Sequence, residues 1–331
     1  MAKEASSLLT GRDYPRDWAE FADWFRDEAA CRRFLERMRW PEGFICPHCG
    51  HDAPAYEASR GRRICRACRR QSSVTSGTIF DKTRTPLRTW LAAVWTITNQ
   101  KYGCSALGLQ RALGLGSYQT AWTMLHRLRR AMVRPERDRL QGVVEVDETF
   151  VGGERKGKHP RRSAGHLGPI PRTAKSIVVV AVEIHEPKGF GRVRLARVDR
   201  KDREHIMPFV LGAIDPDARV ITDGSWAYRS LPEYGYFRER STLFSSPQPG
   251  HVAMPGVHRV SALLKRWLLS THQGSVLPAQ LDHYLDEFTF RFNWRSSRSR
   301  GLLFYRLLEQ AVVTPPATYQ QIRTHHEHNI S

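Results

Sequence analysis

Four cysteines stand in two pairs, Cys46-Pro-His-Cys49 and Cys65-Arg-Ala-Cys68, with fifteen residues between the pairs. Two such knuckles can bring four thiolates to the corners of one tetrahedral zinc site. A redox Cys-x-x-Cys has no use for a second copy. An all-cysteine shell is closed, so it predicts one structural Zn²⁺ and not a catalytic one, which keeps an open position. His48 and His51 are bystanders in this reading, while Cys31 and Cys104 fall in helical patterns as small buried residues. Six arginines (Arg60, Arg62, Arg63, Arg66, Arg69 and Arg70) crowd the second knuckle, as a ribbon lying on a phosphate backbone requires, although a merely solvated basic face would look alike.

A second chemistry lies in the acids. In "VVEVDETFVGG" strand alternation turns Asp147 to one face and Glu148 to the other, so only one of the two is expected to address a given site. In "RVITDGSWAY" Asp223 closes a later strand. An aspartate at a strand end is usually a turn former. The order gives the pair its meaning: an acid on the first strand, an acid after the fourth, then a helix able to carry a third group. Carboxylates so placed are what a two-metal phosphoryl-transfer centre needs, with ions about 3.5–4 Å apart. The helix "GVHRVSALLKRW" carries His258 and Lys265 seven apart, nearly in line, at the border between a buried arc and solvent. By itself that is equally a half-buried histidine beside a snorkelling lysine.

The elements that must position these groups follow from periodicity. Residues 17 to 39 read as helix, stopped by Pro41 and Gly43, and helical spacing returns from Thr85 to Met132. Within it, "CSALGLQRALGLGSYQTAWTMLHRLRRAM" gives a short helix, a "GLGS" turn and a second helix N-capped by Ser117. That is helix-turn-helix spacing, with Tyr118, Gln119 and Thr120 at the reading end and Arg127, Arg129 and Arg130 extending the positive charge; an ordinary helical hairpin has a similar pattern. From Val143 the period shortens to strands ("VVEVDETFV", "SIVVVAVEI", "RVRLARVD"), then a helix at 202 to 214, the strand "ARVITD", the His258 helix, and helices near 278 to 290 and 301 to 312. The result is an α+β, multidomain chain. Its expected segments are an N-terminal helical segment (1–43), a zinc ribbon (44–84), a helix-turn-helix region (85–140), a mixed-sheet catalytic domain (141–313) and a C-terminal tail (314–331).

Composition narrows the partners. Lys and Arg number 52 against 33 Asp and Glu, a formal charge of +19 that favours nucleic acid. The basic residues are spread through folded-looking segments, which weakens a membrane-surface role. Runs such as "SIVVVAVEI" are core-sized, and "MAKEASSLLTGRDYPRD" has no signal-peptide h-region, so a cytoplasmic, nucleoid-associated protein without a membrane partner is expected. The segment 152 to 175, rich in Gly, Pro and bases, is expected to be a loop that orders on DNA through Arg155, Lys156, Lys158, Arg161 and Arg162; a solvated insertion is the alternative.

As a set, "CPHCG", "CRAC", "SGTIFDKTRTPLRTW", "VEVDETFVGG", "ITDGSWAY", "HRVSALLKRWLLSTHQG" and "YLDEFTFRFNWRSSRSRG" resemble the DDE-superfamily transposases of small bacterial insertion sequences that carry an N-terminal zinc ribbon, the ISXO-like group. The resemblance runs over nearly the whole chain. It implies an RNase H-like catalytic domain, end binding by the ribbon and helix-turn-helix, and strand transfer with two divalent ions, Mg²⁺ or Mn²⁺. It further implies that the third metal ligand sits seven residues before a DNA-touching base. That count lands on His258, with Lys265 as the base and Asp286 or Glu287 as the fallback ligands. The partners so implied are the element's terminal repeats and target DNA, and a homodimer or higher oligomer to hold two ends. Ser270 and Trp294 depart from the pattern, which usually has Gly and Arg there. Two other functions compete: a non-catalytic DNA-binding regulator, and an RNase H-like nuclease without strand transfer.

Overall fold

The computed structural model describes residues 8–134, 137–152, 175–185, 187, 189–241, 253–274 and 276–324. The basic segment with Arg155, Lys156, Lys158, Arg161 and Arg162 lies outside the described residues. Two compact units divide the chain, one of residues 1–134 with 294–325, the other of 135–293 with 326–331.

In the first unit the expected helix over 17 to 39 is two helices, α1 (Trp18–Trp24) and α2 (Glu28–Arg39). The break has a local cause. Asp27 adopts an extended conformation and its carboxylate accepts from the Ala30 N–H at 2.7 Å, so it starts a new helix where the apolar spacing alone reads through. Strands β1 (Tyr56–Ala58), β2 (Arg62–Ile64) and β3 (Gln71–Ser72) form a small antiparallel sheet. Helix α3 (Leu87–Asn99) follows, its first N–H groups capped by Glu28 of α2 at 2.9 Å. Helices α4 (Ala106–Leu113) and α5 (Tyr118–Arg130) are separated by a short turn. Ser117 caps α5 as the sequence suggests, Ser105 caps α4, and Gly114 ends α4 at φ +61°, a left-handed conformation that glycine adopts without strain.

Helix α9 (Arg300–Ala311) also belongs to this unit, although its position in the chain places it with the catalytic segment. Phe304 explains why. Its ring lies 5.5–5.7 Å from those of Phe21, Phe25 and Trp95, completing an aromatic core that α1, α2 and α3 cannot close by themselves. Gly301 permits the approach, since a Cβ there would sit 1.9 Å from the Pro15 carbonyl oxygen.

The second unit is built on a five-stranded sheet ordered β6-β5-β4-β7-β8. Strands β4 (Val143–Val151), β5 (Ser176–Ile184) and β6 (Phe190–Val198) are antiparallel neighbours. The chain then crosses through α6 (Arg203–Ala213) to β7 (Arg219–Thr222), which runs parallel to β4, and on to β8 (Phe237–Arg240), parallel to β7. The order 3-2-1-4-5 with only the second strand reversed is the RNase H-like mixed sheet expected. Strand β8 carries little apolar alternation and is not legible in the sequence.

Both faces of the sheet are covered. Val144, Val146, Val179 and Val220 pack beneath Ile206 and Val210 of α6. On the other face Val178, Val180 and Val182 meet α7 (Pro255–His272) and α8 (Pro278–Asn293) through Val257, Leu264 and Leu285. Buried on both sides, the central strands are almost continuously Val-rich, as such strands must be.

Candidate active site and zinc centre

The zinc centre is the more sharply drawn. The Sγ atoms of Cys46, Cys49, Cys65 and Cys68 all lie within 4.8 Å of one another. Each knuckle is tied by backbone. The Gly50 N–H donates to the Cys46 carbonyl at 2.9 Å, and the Arg69 N–H to the Cys65 carbonyl at 3.1 Å. Both turns need a left-handed residue, supplied by Gly50 (φ +70°) and, less comfortably, Arg69 (φ +58°). Backbone N–H groups of Cys68 and Ala67 hold the Cys65 thiol down to about 6, so it favours the thiolate that zinc takes. Cys49 moves the other way, up to about 12: the His51 backbone opposes the rise, but burial and the three neighbouring sulfurs outweigh it. Four crowded thiols cannot all ionise without a cation among them. The set fits one tetrahedral zinc. Close by, the guanidiniums of Arg66 and Arg69 lie over the Tyr56 ring at 4.9 and 5.6 Å.

In the second unit three strands, β4, β7 and β8, run the same way; β7 and β8 end level with Val146, while β4 continues to Val151. Their ladder aligns Val146 with Thr222, so Asp147 and Asp223 follow as adjacent positions just past the last pair. Ligands of open sheets gather outside such carboxyl ends. Asp147 accepts from the Glu148 N–H at 2.7 Å, and Asp223 from the Ser225 N–H at 2.9 Å. Burial, and then the charges of Glu148 and Asp223, push the Asp147 carboxyl up to about 6 against that backbone hydrogen bond. The site is therefore a partly desolvated crowd of negative charge. A divalent cation relieves such crowding, and all-oxygen donors suit Mg²⁺ or Mn²⁺.

Glu148 corrects the sequence reading. It does turn to the opposite face, where the Tyr228 hydroxyl donates to its buried carboxylate. Yet the Lys201 ammonium, from the β6–α6 connection, lies 2.5 Å from Glu148 and 4.0 Å from Asp223, so both acids share one charge network. Burial lowers the affinity of Lys201 for its proton, but the Glu148 hydrogen bond and the surrounding carboxylates reverse this and raise its pKa. Tyr228 is pushed well above the usual phenol range, first by burial, then by Glu148. Alternation hides Glu148, and no period marks Lys201. Tyr228 is visible in the sequence only as part of "ITDGSWAY".

His258 is in the first turn of α7, half-buried, and Lys265 is exposed further along the helix. The start of α7 is pinned to β4: the Val257 N–H donates to Glu145 Oε2 at 2.9 Å, and Glu145 is two residues before Asp147 on the same face. A Cβ on Gly256 would lie 2.9 Å from that oxygen, so glycine allows the contact. The structure thus brings the His258 helix to the strand of Asp147. It does not gather Asp147, Asp223 and His258 tightly: among the described residues the cysteine quartet is the one group of three or more potential ligands drawn close enough to hold a metal ion. Asp286 and Glu287 are on α8, which packs on β6 at the far edge of the sheet. Both are buried, and Glu287 has Arg291 at 4.0 Å. With strands ~4.8 Å apart, β6 is two places from β4 and three from β7, a poor position for a ligand shared with Asp223.

On α5, Tyr118 (53% exposed) and Gln119 face solvent and Thr120 is half-buried. Arg127 does not extend this surface. Its guanidinium donates to the carbonyls of Ala317 at 2.9 Å and Ile79 at 3.1 Å, and burial lowers its pKa. Arg129 is buried beside His126. Among the described residues no helix is long and apolar enough to cross a membrane.

Residues 139–293 match the family model of the ISXO2-like transposase domain, and residues 26–71 match that of the transposase zinc-ribbon domain. The chain is 27% identical over 275 residues to a Halobacterium salinarum protein described as an uncharacterised protein in transposable element ISH50, covering 81% of this chain and 91% of that one.

Proposed function

We propose that this chain, which belongs to the insertion-sequence transposases by its ISXO2-like domain and transposase zinc ribbon, binds the ends of its element, cleaves there and joins the freed 3′-hydroxyl to target DNA. The observation that carries the reading is the placement of Asp223, just past the end of β7, side by side with Asp147 on parallel β4. In this reading Asp147, Asp223 and His258 hold the divalent ions. When bound, Mg²⁺ or Mn²⁺ supplies activation of the attacking oxygen and stabilisation of the leaving one. The chain's own part is positional. Glu145 fixes the first turn of α7 on the strand of Asp147, and Ser225 orients the Asp223 carboxylate. Lys201 offsets part of the negative charge, and Lys265 reaches for a phosphate. In the joining step one P–O bond forms to the element's 3′-oxygen as the target strand's P–O3′ bond breaks, so phosphodiester number is conserved.

One Zn²⁺ on Cys46, Cys49, Cys65 and Cys68 keeps the ribbon folded beside the α4–α5 pair, which we read as a helix-turn-helix meeting base edges through Tyr118, Gln119 and Thr120. Two ends have to be held at once, so the working form is a dimer or larger assembly. A regulator without catalysis would leave the paired aspartates without a use. A plain nuclease would need neither the ribbon nor the exposed start of α5. The discriminating experiment is joining of labelled element ends to target duplex in Mg²⁺ and in Mn²⁺: a transposase yields joined product, a nuclease only cuts, and a regulator does neither.

A further inference from the structure

The turn that follows β7 is wrapped by arginines. Arg238 of β8 donates from Nε to Thr222 Oγ1 at 3.0 Å and from Nη2 to the Asp223 carbonyl at 3.1 Å. These acceptors are neutral, so its charge is not consumed by them. Arg240 is next on the same side of β8, with Thr222 as its ladder mate, and its guanidinium lies against Gly224. A Cβ at position 224 would be 2.9 Å from Arg240 Nη2, so the space beside Asp223 that a side chain would fill is held by a guanidinium. Arg229 closes the short helix Trp226–Tyr228 that leaves the same turn, where Arg238 Nη2 also lies 3.5 Å from the Ser225 carbonyl oxygen. Arg229 and Arg240 are exposed. Among the described residues none of the three is in a salt bridge, whereas Arg219 and Glu239, on the same two strands, pair at 2.8 Å.

Arg229 and Arg240 are exposed and carry no salt bridge among the described residues, so both charges are open to a phosphate that approaches Asp223. We infer that Arg229, Arg238 and Arg240 form a phosphate clamp at the carboxyl ends of β7 and β8, which grips the DNA backbone next to the phosphate being cut. The inference rests on the transposase reading and specifies where that site holds its substrate. Arg238 builds the turn and presents its remaining N–H groups, while Arg229 and Arg240 supply the free charge. Guanidinium forks match phosphate oxygens bidentately, and backbone contacts of this type position a strand without reading its sequence.

The test uses the full chain and a fluorescent duplex carrying a terminal repeat, titrated over a salt series with no added divalent metal. Arg238 is left intact because it shapes the Asp223 turn. The double variant Arg229→Gln/Arg240→Gln should flatten the dependence of log K on log salt by about two, near 0.9 for each phosphate no longer neutralised. Sequence preference should not move, and Arg229→Lys/Arg240→Lys should keep the parent's slope. Replacing the phosphates that flank the cut by neutral methylphosphonates should weaken the parent but cost the Gln variant little further, because the coupled partners are already gone. An unchanged slope overturns the clamp, as does a methylphosphonate penalty equal in parent and variant. A parent that binds no duplex at all overturns the transposase reading along with it.

Discussion

The proposed third ligand, His258, is the residue on which the site turns. His258 is in the first turn of a helix fixed to the strand of Asp147 through Glu145, whereas Glu287 is on a helix over the far edge strand. His258→Ala is therefore expected to reduce joining by a factor of ~10³ or more, with His258→Glu recovering part of it by restoring an oxygen donor. The check is a joining time course in Mg²⁺ and Mn²⁺; full activity in His258→Ala together with a dead Glu287→Ala would move the assignment to α8. Lys201 makes a different prediction. Lys201→Met strands the buried Glu148 carboxylate, at a cost of ~2 kcal/mol, since the lysine is itself partly solvated. Adding Glu148→Gln should return most of that loss, as read by urea unfolding; additive costs would show that the two are not coupled. Asp147 and Asp223 are legible from chain order, because an acid on a first strand and another closing a fourth is a pattern in sequence. The role of Glu148 is not, because alternation describes faces, whereas beyond the end of β7 a long lysine can reach round the rim.

At the scale of elements, spacing and caps carry most of the information. The cysteine knuckles, the Ser117 cap and the glycine stop of α4 all stand where local chemistry puts them. The break between α1 and α2 emerges only when the Asp27 cap is weighed against an unbroken apolar period. The ribbon has only short strands, so its stability should come from the metal. Such sites contribute ~10–16 kcal/mol of binding free energy that doubles as folding energy. Purified protein is expected to carry one zinc per chain, and Cys65→Ser to lose it along with protease resistance of residues 44–72. Substoichiometric zinc in the parent, unchanged by the substitution, would contradict this.

For the whole molecule, the unexpected feature is that the first unit includes residues from both ends of the described chain. No local pattern reveals that Phe304 packs among Phe21, Phe25 and Trp95, because long-range packing leaves no period in the sequence. A fragment of residues 1 to 140 thus lacks a wall of its core. Phe304→Ala in the full chain should cost ~3–5 kcal/mol and lower end binding with it. A matched fragment supplemented with 294–325 through a linker should bind ends better than 1–140 alone in a salt-matched gel shift; equal binding would show that α9 is dispensable. The charge of +19 sets the background, since affinity of every form should fall steeply with salt.

Asp147 and Asp223 are proposed to form a metal-dependent centre for joining DNA ends. The direct measurement compares parent, Asp147→Asn and Asp223→Asn on one labelled duplex end, scoring end binding and joined product in the same reactions with Mg²⁺, with Mn²⁺ and with neither. Joined product is expected only from the parent and only with metal, while all three proteins bind the end with affinities within about threefold, ~0.65 kcal/mol. Joined product from either Asn variant at the parent's rate, or from the parent without divalent metal, would rule out a metal centre on these two aspartates.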